Sequence, residues 1–158
     1  MFAQDQLWNT HVITGSQVEV ANYILARWRE DGDVVYEDGF YWYDPDSGTW
    51  SGRDYDACRR DVLALGGRSY GPKVLMPDNQ VKQSHLRMTD HLCNSVLRVV
   101  ASLASQRTRT DEPGFFDNAP PGVLAGGMFL TLGEGKVQIR PPRPSDRQLV
   151  GLDIGYNP

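Results

Sequence analysis

The sequence predicts an α+β protein, in which a small antiparallel meander and a C-terminal β-hairpin pack on about three helices. Helical apolar spacing recurs in three stretches, Asp38-Gly39 joins two aromatic runs, and two short apolar runs flank Gly133-Glu134-Gly135. The 158 residues are 40% hydrophobic, which is enough for one packed core, so we predict a single domain over residues 1–158.

The first predicted elements are a helix over 16–30 and a three-stranded meander over 33–50. Ser16 and Glu19 have the spacing of a capping box, which marks the helix start. Asp-Gly between two aromatic runs is a strong hairpin signal, and the segment "DPDSG" supplies the next turn. Asp44 and Asp46 resemble the opening of a calcium loop, but its glycine and closing glutamate are missing, so a turn explains them better.

Two more helices are predicted over 53–66 and 84–106, with a loop over 68–83 that carries glycine and two prolines. Ser84 is expected to cap the longer helix, whose apolar residues follow the helical period. The C-terminal part is predicted as a β-hairpin region over 115–142 followed by an extended linker over 143–158.

Patterns for several functional classes are missing. There is no apolar run long enough for a membrane span, no secretory signal, no metal-binding spacing and no nucleophile motif. "GEGKV" ends in Gly-Lys, but it lacks the upstream glycine and the following Ser or Thr of a phosphate loop and reads as a hairpin turn. Cys58 and Cys93 are expected to be reduced and buried. We therefore expect neither catalysis nor a metal or cofactor in this chain.

The formal charge of −4 is unevenly distributed along the chain. Residues 1–57 carry a net charge of −8 and residues 58–158 a net charge of +4. This asymmetry can orient a domain against a polyanion. It can equally mean that the two halves pack on each other or on neighbouring subunits.

The aromatic stretch at residues 36–50 has three possible roles. Strand alternation sends Phe40 and Trp42 to one face and Tyr41 and Tyr43 to the other, so about half of the rings are expected in a core. The remaining rings could contact a partner protein or stack on unpaired bases, although the acidic residues between them repel phosphate. Candidates for the partner surface are Tyr41, Tyr43 and Trp50.

The basic residues downstream are the candidates for DNA contact. Arg87, His91, Asn94 and Arg98 have the spacing of one polar helix face, which could be simply solvated or could bind the DNA backbone. The complete candidate set is Arg87, Arg98, Arg107, Arg109, Lys136, Arg140, Arg143 and Arg147.

Two stretches carry a family resemblance. "GDVVYEDGFYWYDPDSGTW" and "FDNAPPGVLAGGMFLTLGEGKVQIRPPRPSDRQLVGLDIGYNP" are similar to the opening and closing patterns of the N-terminal-like domain of phage and plasmid primase-helicases. That domain precedes a superfamily 3 helicase and also occurs in the poxvirus primase-helicase. Phe116, Asp117 and Pro120 match the closing pattern, Gly126-Gly127 stands where Asn-Gly is usual, and Gly155-Tyr156-Asn157-Pro158 stands for the family's final Asp-Tyr-x-Pro. "RPPRP" departs from the family's His-x-Pro.

The resemblance implies a non-catalytic accessory domain that supports oligomer assembly and DNA engagement during replication. Its nucleic-acid partner would be single-stranded or forked DNA, and its protein partner would be an adjoining helicase domain or neighbouring subunits. No membrane partner is implied. In the family the helicase follows the final proline, so ATP and magnesium would bind only in that adjoining domain. A phage- or plasmid-encoded protein in the cytoplasm of a bacterial host is expected. The alternative is a stand-alone phage-encoded module that binds a protein partner through the acidic aromatic hairpin.

Overall fold

The computed structural model describes residues 2–106 and 112–152, and for residues 2–6 it describes the backbone alone. The helices are α1 (Phe2–His11), α2 (Gln17–Glu30), α3 (Tyr55–Leu63) and α4 (Asp90–Ala104), and a 3-10 helix covers Pro144–Asp146. The strands are β1 (Val34–Tyr36), β2 (Phe40–Asp44), β3 (Thr49–Arg53), β4 (Ser69–Leu75), β5 (Val81–His85), β6 (Val123–Ala125), β7 (Met128–Gly133) and β8 (Lys136–Arg140). The predicted α+β class is confirmed.

The strands form three separate antiparallel sheets. Sheet A has the order β1-β2-β3, sheet B is the β4-β5 hairpin, and sheet C has the order β6-β7-β8. The predicted meander is therefore present, and its last strand extends three residues past the predicted end.

The chain divides into two compact units. The helical unit comprises Met1–Trp28 and Asp54–Leu103, and the sheet unit comprises Arg29–Arg53 and Ala104–Pro158. Sheet B belongs to the helical unit, and sheets A and C belong to the sheet unit. The number of independently folding domains stays a prediction.

In the helical unit, the start of α2 follows the predicted cap with one variation. The N–H of Glu19 donates to the hydroxyl of Ser16 at 3.3 Å. The Glu19 carboxylate reaches further back than a capping box requires and accepts from the N–H groups of Thr14 at 2.8 Å and Gly15 at 3.0 Å. Glu19 thus fixes the turn between α1 and α2 by accepting bonds from N–H groups that no helix satisfies.

The buried interior of the helical unit comes from all four helices. Trp8 and Tyr23 meet edge to face with ring centroids 4.5 Å apart, and the indole N–H of Trp28 donates to Asp61 at 3.0 Å. Cys58 and Cys93 are both buried, as predicted, and no disulfide joins them. Burial raises the pKa of the Cys93 thiol, so this cysteine packs as a neutral side chain.

The structure corrects two predictions in this unit. The helix predicted over 84–106 begins at Asp90, because Ser84 lies in β5 and Thr89 provides the cap, its hydroxyl accepting from the N–H of Leu92 at 3.2 Å. The loop predicted over 68–83 is the β4-β5 hairpin. Its prolines are compatible with strands because Pro72 lies at an irregularity between Tyr70 and Val74, and Pro77 lies in the connecting turn.

In the sheet unit, the predicted turns are present. Asp44 Oδ1 accepts from the N–H of Asp46 at 2.9 Å, which is the expected Asx turn. The turn between β7 and β8 has φ of 52° at Glu134 and 76° at Gly135, as a two-residue hairpin of type I′ requires. The Gly-Lys sequence therefore belongs to a hairpin.

The C-terminal part of the sheet unit differs from its prediction in two places. The hairpin region predicted over 115–142 contains a third strand, β6, whose outer edge bridges to Leu152. The stretch predicted as an extended linker is bound to both sheets of the unit: the N–H of Trp50 in sheet A donates to the carbonyl of Gln148 at 2.8 Å, and the N–H of Leu152 donates to the carbonyl of Leu124 in sheet C at 2.8 Å. Residues 153–158, the remainder of that predicted linker, lie outside the described residues.

Candidate nucleic-acid interface

The aromatic meander forms the core of the sheet unit. Tyr43 is 7% exposed and Trp50 is 2% exposed, and they pack with Val35 under Phe115 and Phe116. Tyr41 is half-buried and meets the Phe116 ring at 4.8 Å between centroids. The partner-surface role predicted for Tyr43 and Trp50 is corrected, because their rings are enclosed; Tyr41 keeps a partly exposed ring.

The polar groups of Trp50 and Tyr43 are both uncharged within this core. The indole N–H of Trp50 donates to the carbonyl of Pro144 at 3.0 Å. Burial, followed by the carboxylates of Asp146, Asp44 and Asp33, raises the pKa of Tyr43, so its phenol stays neutral. The core of the sheet unit therefore contains buried aromatic side chains that carry a polar group.

Arg140 is occupied by contacts within the sheet unit. Its guanidinium pairs with the carboxylate of Asp146, with Nη1 2.8 Å from Oδ2, and stands over the Phe129 ring at 4.6 Å from the centroid. Asp146 is 1% exposed, so the pair supplies the partner that a buried carboxylate needs. The side chain of Arg140 therefore has little capacity left for phosphate.

Arg147 is used in a similar way. Its guanidinium lies over the Phe115 ring at 4.6 Å from the centroid, and Nη1 donates to the carbonyls of Phe115 at 3.0 Å and Asn118 at 3.3 Å. Beside it lies a cavity of about 290 Å³ within the sheet unit. The cavity is lined by Arg29, Asp33, Val34, Val35, Trp50, Gln106, Phe115, Pro144, Ser145 and Arg147.

Lys136 and Arg143 are exposed, and no side-chain ion pair involves either of them within residues 2–106 and 112–152. They belong, however, to a unit with thirteen acidic and eight basic residues, a formal charge of −5. Within this unit residues 29–53 carry a net charge of −5 and residues 104–158 are neutral, so the excess of basic residues in the second part of the sequence lies in residues 58–103 of the helical unit.

Arg87 and Arg98 lie in the other unit. Arg98 is exposed on α4 beside the exposed His91 and Asn94, whereas Arg87 precedes the helix in the loop after β5, so the predicted single helix face is corrected for Arg87. The helical unit has eight basic and seven acidic residues, a formal charge of +1, and contains all three histidines.

Sequence reasoning missed two cations on the β4-β5 hairpin. Lys73 and Lys82 are both exposed and take part in no ion pair among the residues that the structure covers. Pro77-Asp78-Asn79, directly after the short apolar run Val74-Leu75-Met76, was the available turn signal. Arg107 and Arg109 of the predicted set lie outside the described residues.

For other chemistry the described residues offer little. In the ranges 2–106 and 112–152, no three His, Cys, Asp or Glu side chains are grouped closely enough to hold a metal ion. The expectation of a cofactor-free, non-catalytic chain stays a prediction. The helices in these ranges are too short or too polar to span a bilayer.

Comparison with known proteins gives no match to a protein-family model, a curated protein or a solved structure. The primase-helicase resemblance therefore stays a prediction from the residues quoted above.

Proposed function

We propose that this chain is a non-catalytic accessory domain of a viral or plasmid replicative primase-helicase, which supports oligomer assembly and DNA engagement during DNA replication. In this proposal ATP and magnesium act in an adjoining helicase domain, and the protein works in the cytoplasm of a bacterial host. The family resemblance supplies the biological setting, and the distribution of cations over the two units supports the DNA contact.

One observation carries the DNA part of the proposal. Arg87 and Arg98 are exposed cations in the positively charged helical unit, whereas Arg140 and Arg147 are bound to groups of the sheet unit. A cation contributes to DNA affinity when its charge replaces counterions on phosphate, which requires an exposed and unpaired head group. We therefore assign single-stranded DNA contact to Arg87 and Arg98 first, and to Lys136 and Arg143 only second.

The oligomer part of the proposal is supported by sheet C. Cross-strand pairing places Val123, Leu130, Leu132, Val137 and Ile139 on one face, and Leu132 is 75% exposed. Strand β8 has no partner on its outer side among the residues described. Antiparallel pairing of two β8 strands would extend the apolar face of one copy into that of a second copy, so the occupant we propose is a second copy of this chain.

The DNA part is tested by fluorescence anisotropy with a labelled oligothymidylate of about 20 nucleotides. Arg87→Ala/Arg98→Ala removes two phosphate-binding cations, so it should weaken binding at least about tenfold at low salt and reduce the salt slope by about 1.4. The charge-matched control is Arg29→Ala/Arg60→Ala, since both residues are exposed and outside the predicted DNA set.

Equal weakening in the two double variants would show that only bulk charge matters and would contradict the assignment. If the unaltered chain binds no oligothymidylate at low salt, the DNA part of the proposal is wrong.

A further inference from the structure

The β4-β5 hairpin extends from the helical unit as an exposed arm, defined here as residues 72–82. Every residue of the arm is exposed. Its base is fixed, because the N–H of Gly71 donates to the carbonyl of Val12 at 2.9 Å and the side chain of Gln83 donates to the carbonyl of Gly71 at 3.3 Å. A two-stranded ribbon without a sheet behind it is marginal, so a partner is expected for it.

The tip of the arm is an ordered turn. The N–H of Asn79 donates to the carbonyl of Met76 at 3.0 Å, and the N–H of Met76 donates to the carbonyl of Gln80 at 2.8 Å. Asn79 has a φ of 61°, which asparagine tolerates better than most residues, and Pro77 holds the position that proline favours in such turns. Met76 and Pro77 are therefore held at the far end of the ribbon.

Apolar side chains occupy both faces of the arm. Leu75 pairs with Val81 across the strands, and Val74 pairs with Lys82, so successive pairs point to opposite faces. The side chains of Val74, Leu75 and Val81 are each more than half exposed. A ribbon that is apolar on two faces fits between two walls better than onto one flat surface.

The charges of the arm favour a DNA groove as the site into which the arm fits. Lys73 and Lys82 are on the arm, and His85 and Arg87 are exposed at its base. The one acid of the arm is Asp78, whose Oδ1 accepts from the N–H of Gln80 at 3.2 Å within the turn. The DNA major groove is wide enough to admit a two-stranded ribbon, whose side chains then contact the base edges.

We propose that the arm inserts into the major groove of the duplex part of forked DNA, with Lys73 and Lys82 on phosphates and Met76 and Pro77 against the base edges. This inference rests on the proposed function and adds a duplex-binding element to it. Arg87 and Arg98 would contact single-stranded as well as forked DNA, whereas the arm would contact duplex only.

The test compares three double variants and one single variant on a forked duplex and on oligothymidylate. Lys73→Ala/Lys82→Ala should weaken fork binding at least about tenfold, reduce the salt slope on the fork by about 1.8, and leave oligothymidylate binding unchanged. Arg87→Ala/Arg98→Ala should weaken both, and Arg29→Ala/Arg60→Ala neither. Asp78→Asn keeps an amide oxygen for the turn and removes a charge that repels phosphate, so it should tighten fork binding severalfold, a gain that misfolding cannot produce.

The outcomes separate the two proposals. If the unaltered chain binds the fork but Lys73→Ala/Lys82→Ala and Asp78→Asn bind it equally well, the arm does not contact DNA, while the proposed function stands. If the unaltered chain binds neither ligand at low salt, both proposals fall. If the arm variants change self-association in sedimentation without changing fork binding, the arm is a protein interface and the inference is overturned.

Discussion

The guanidinium of Arg140 and the buried carboxylate of Asp146 form a two-point ion pair, with Arg140 Nη1 2.8 Å from Asp146 Oδ2 and Nη2 on Oδ1. The same Oδ2 also accepts from the N–H of Arg143 at 2.8 Å. Asp146 therefore connects strand β8 to the 3-10 helix Pro144–Asp146. The carbonyl of Pro144 in this helix accepts a hydrogen bond from the indole N–H of Trp50. A cation that the sequence places in a DNA-binding set thus stabilises the aromatic core.

We expect Arg140→Ala to destabilise the chain by about 3 kcal/mol, because it leaves the enclosed Asp146 carboxylate without its ionic partner. Arg140→Ala/Asp146→Asn should cost less than the single change, since no unpaired charge remains. Urea unfolding followed by tryptophan fluorescence measures both. A loss below about 1 kcal/mol in the single variant would mean that the pair is not needed.

The ion pair also predicts a pH dependence. Burial alone would raise the pKa of Asp146, but the hydrogen bonds from Arg140 and from the N–H of Arg143, with the charges of both arginines, hold that pKa below its ordinary value. Since the unfolded pKa is about 3.9, the stabilisation is complete above it and is lost as the pH falls through the lower folded pKa. The difference in unfolding free energy between the unaltered chain and Asp146→Asn should be constant at neutral pH and shrink below about pH 4. A difference that stays constant into strong acid would contradict this.

Trp50→Phe should lower the unfolding free energy by about 2–3 kcal/mol. The change leaves the carbonyl of Pro144 without its indole donor and opens a void beside Tyr43. Tyr41→Phe, at the half-buried ring of the same sheet face, is the matched control and should cost much less. The unfolding free energy is measured by urea unfolding monitored by circular dichroism. If Trp50→Phe and Tyr41→Phe lower it by the same small amount, Trp50 is a surface residue, as the sequence predicted.

Leu132→Ser/Val137→Ser should reduce self-association without reducing stability. Both side chains are exposed on the apolar face of sheet C, so the folded monomer loses little burial when they become polar. Sedimentation velocity over a concentration series measures the association. Lys136→Ser, on the same strand but outside the apolar face, is the control. An unaltered chain that stays monomeric throughout the series would contradict the assembly part of the proposal.

Local patterns determined much of what the sequence could predict. Positive φ values occur at Asp38 in one predicted turn and at Glu134 and Gly135 in another, and the helical spacing of α2 follows from one buried stripe. These features depend on residues close together in the chain, so one sequence is enough to recognise them.

Long-range pairing is what the sequence could not predict. Arg140 looked free because its partner Asp146 lies six residues away, beyond three prolines, and the burial of Trp50 depends on Phe115, which is distant in the chain. The β4-β5 hairpin was hidden because Pro72 and Pro77 resemble loop residues unless the strand irregularity and the turn are known. Pairing of one segment with another also decides which cations remain exposed. For this reason the first candidates for DNA contact, Arg87 and Arg98, lie in the helical unit.

The most direct test of DNA engagement is the affinity of the unaltered chain for oligothymidylate as a function of salt. We predict binding at about 50 mM salt and a linear fall of the logarithm of the association constant with the logarithm of salt concentration, with a slope of about −1.4 or steeper for at least two phosphate contacts. Absence of binding at low salt, or an affinity that does not change with salt, would contradict this prediction.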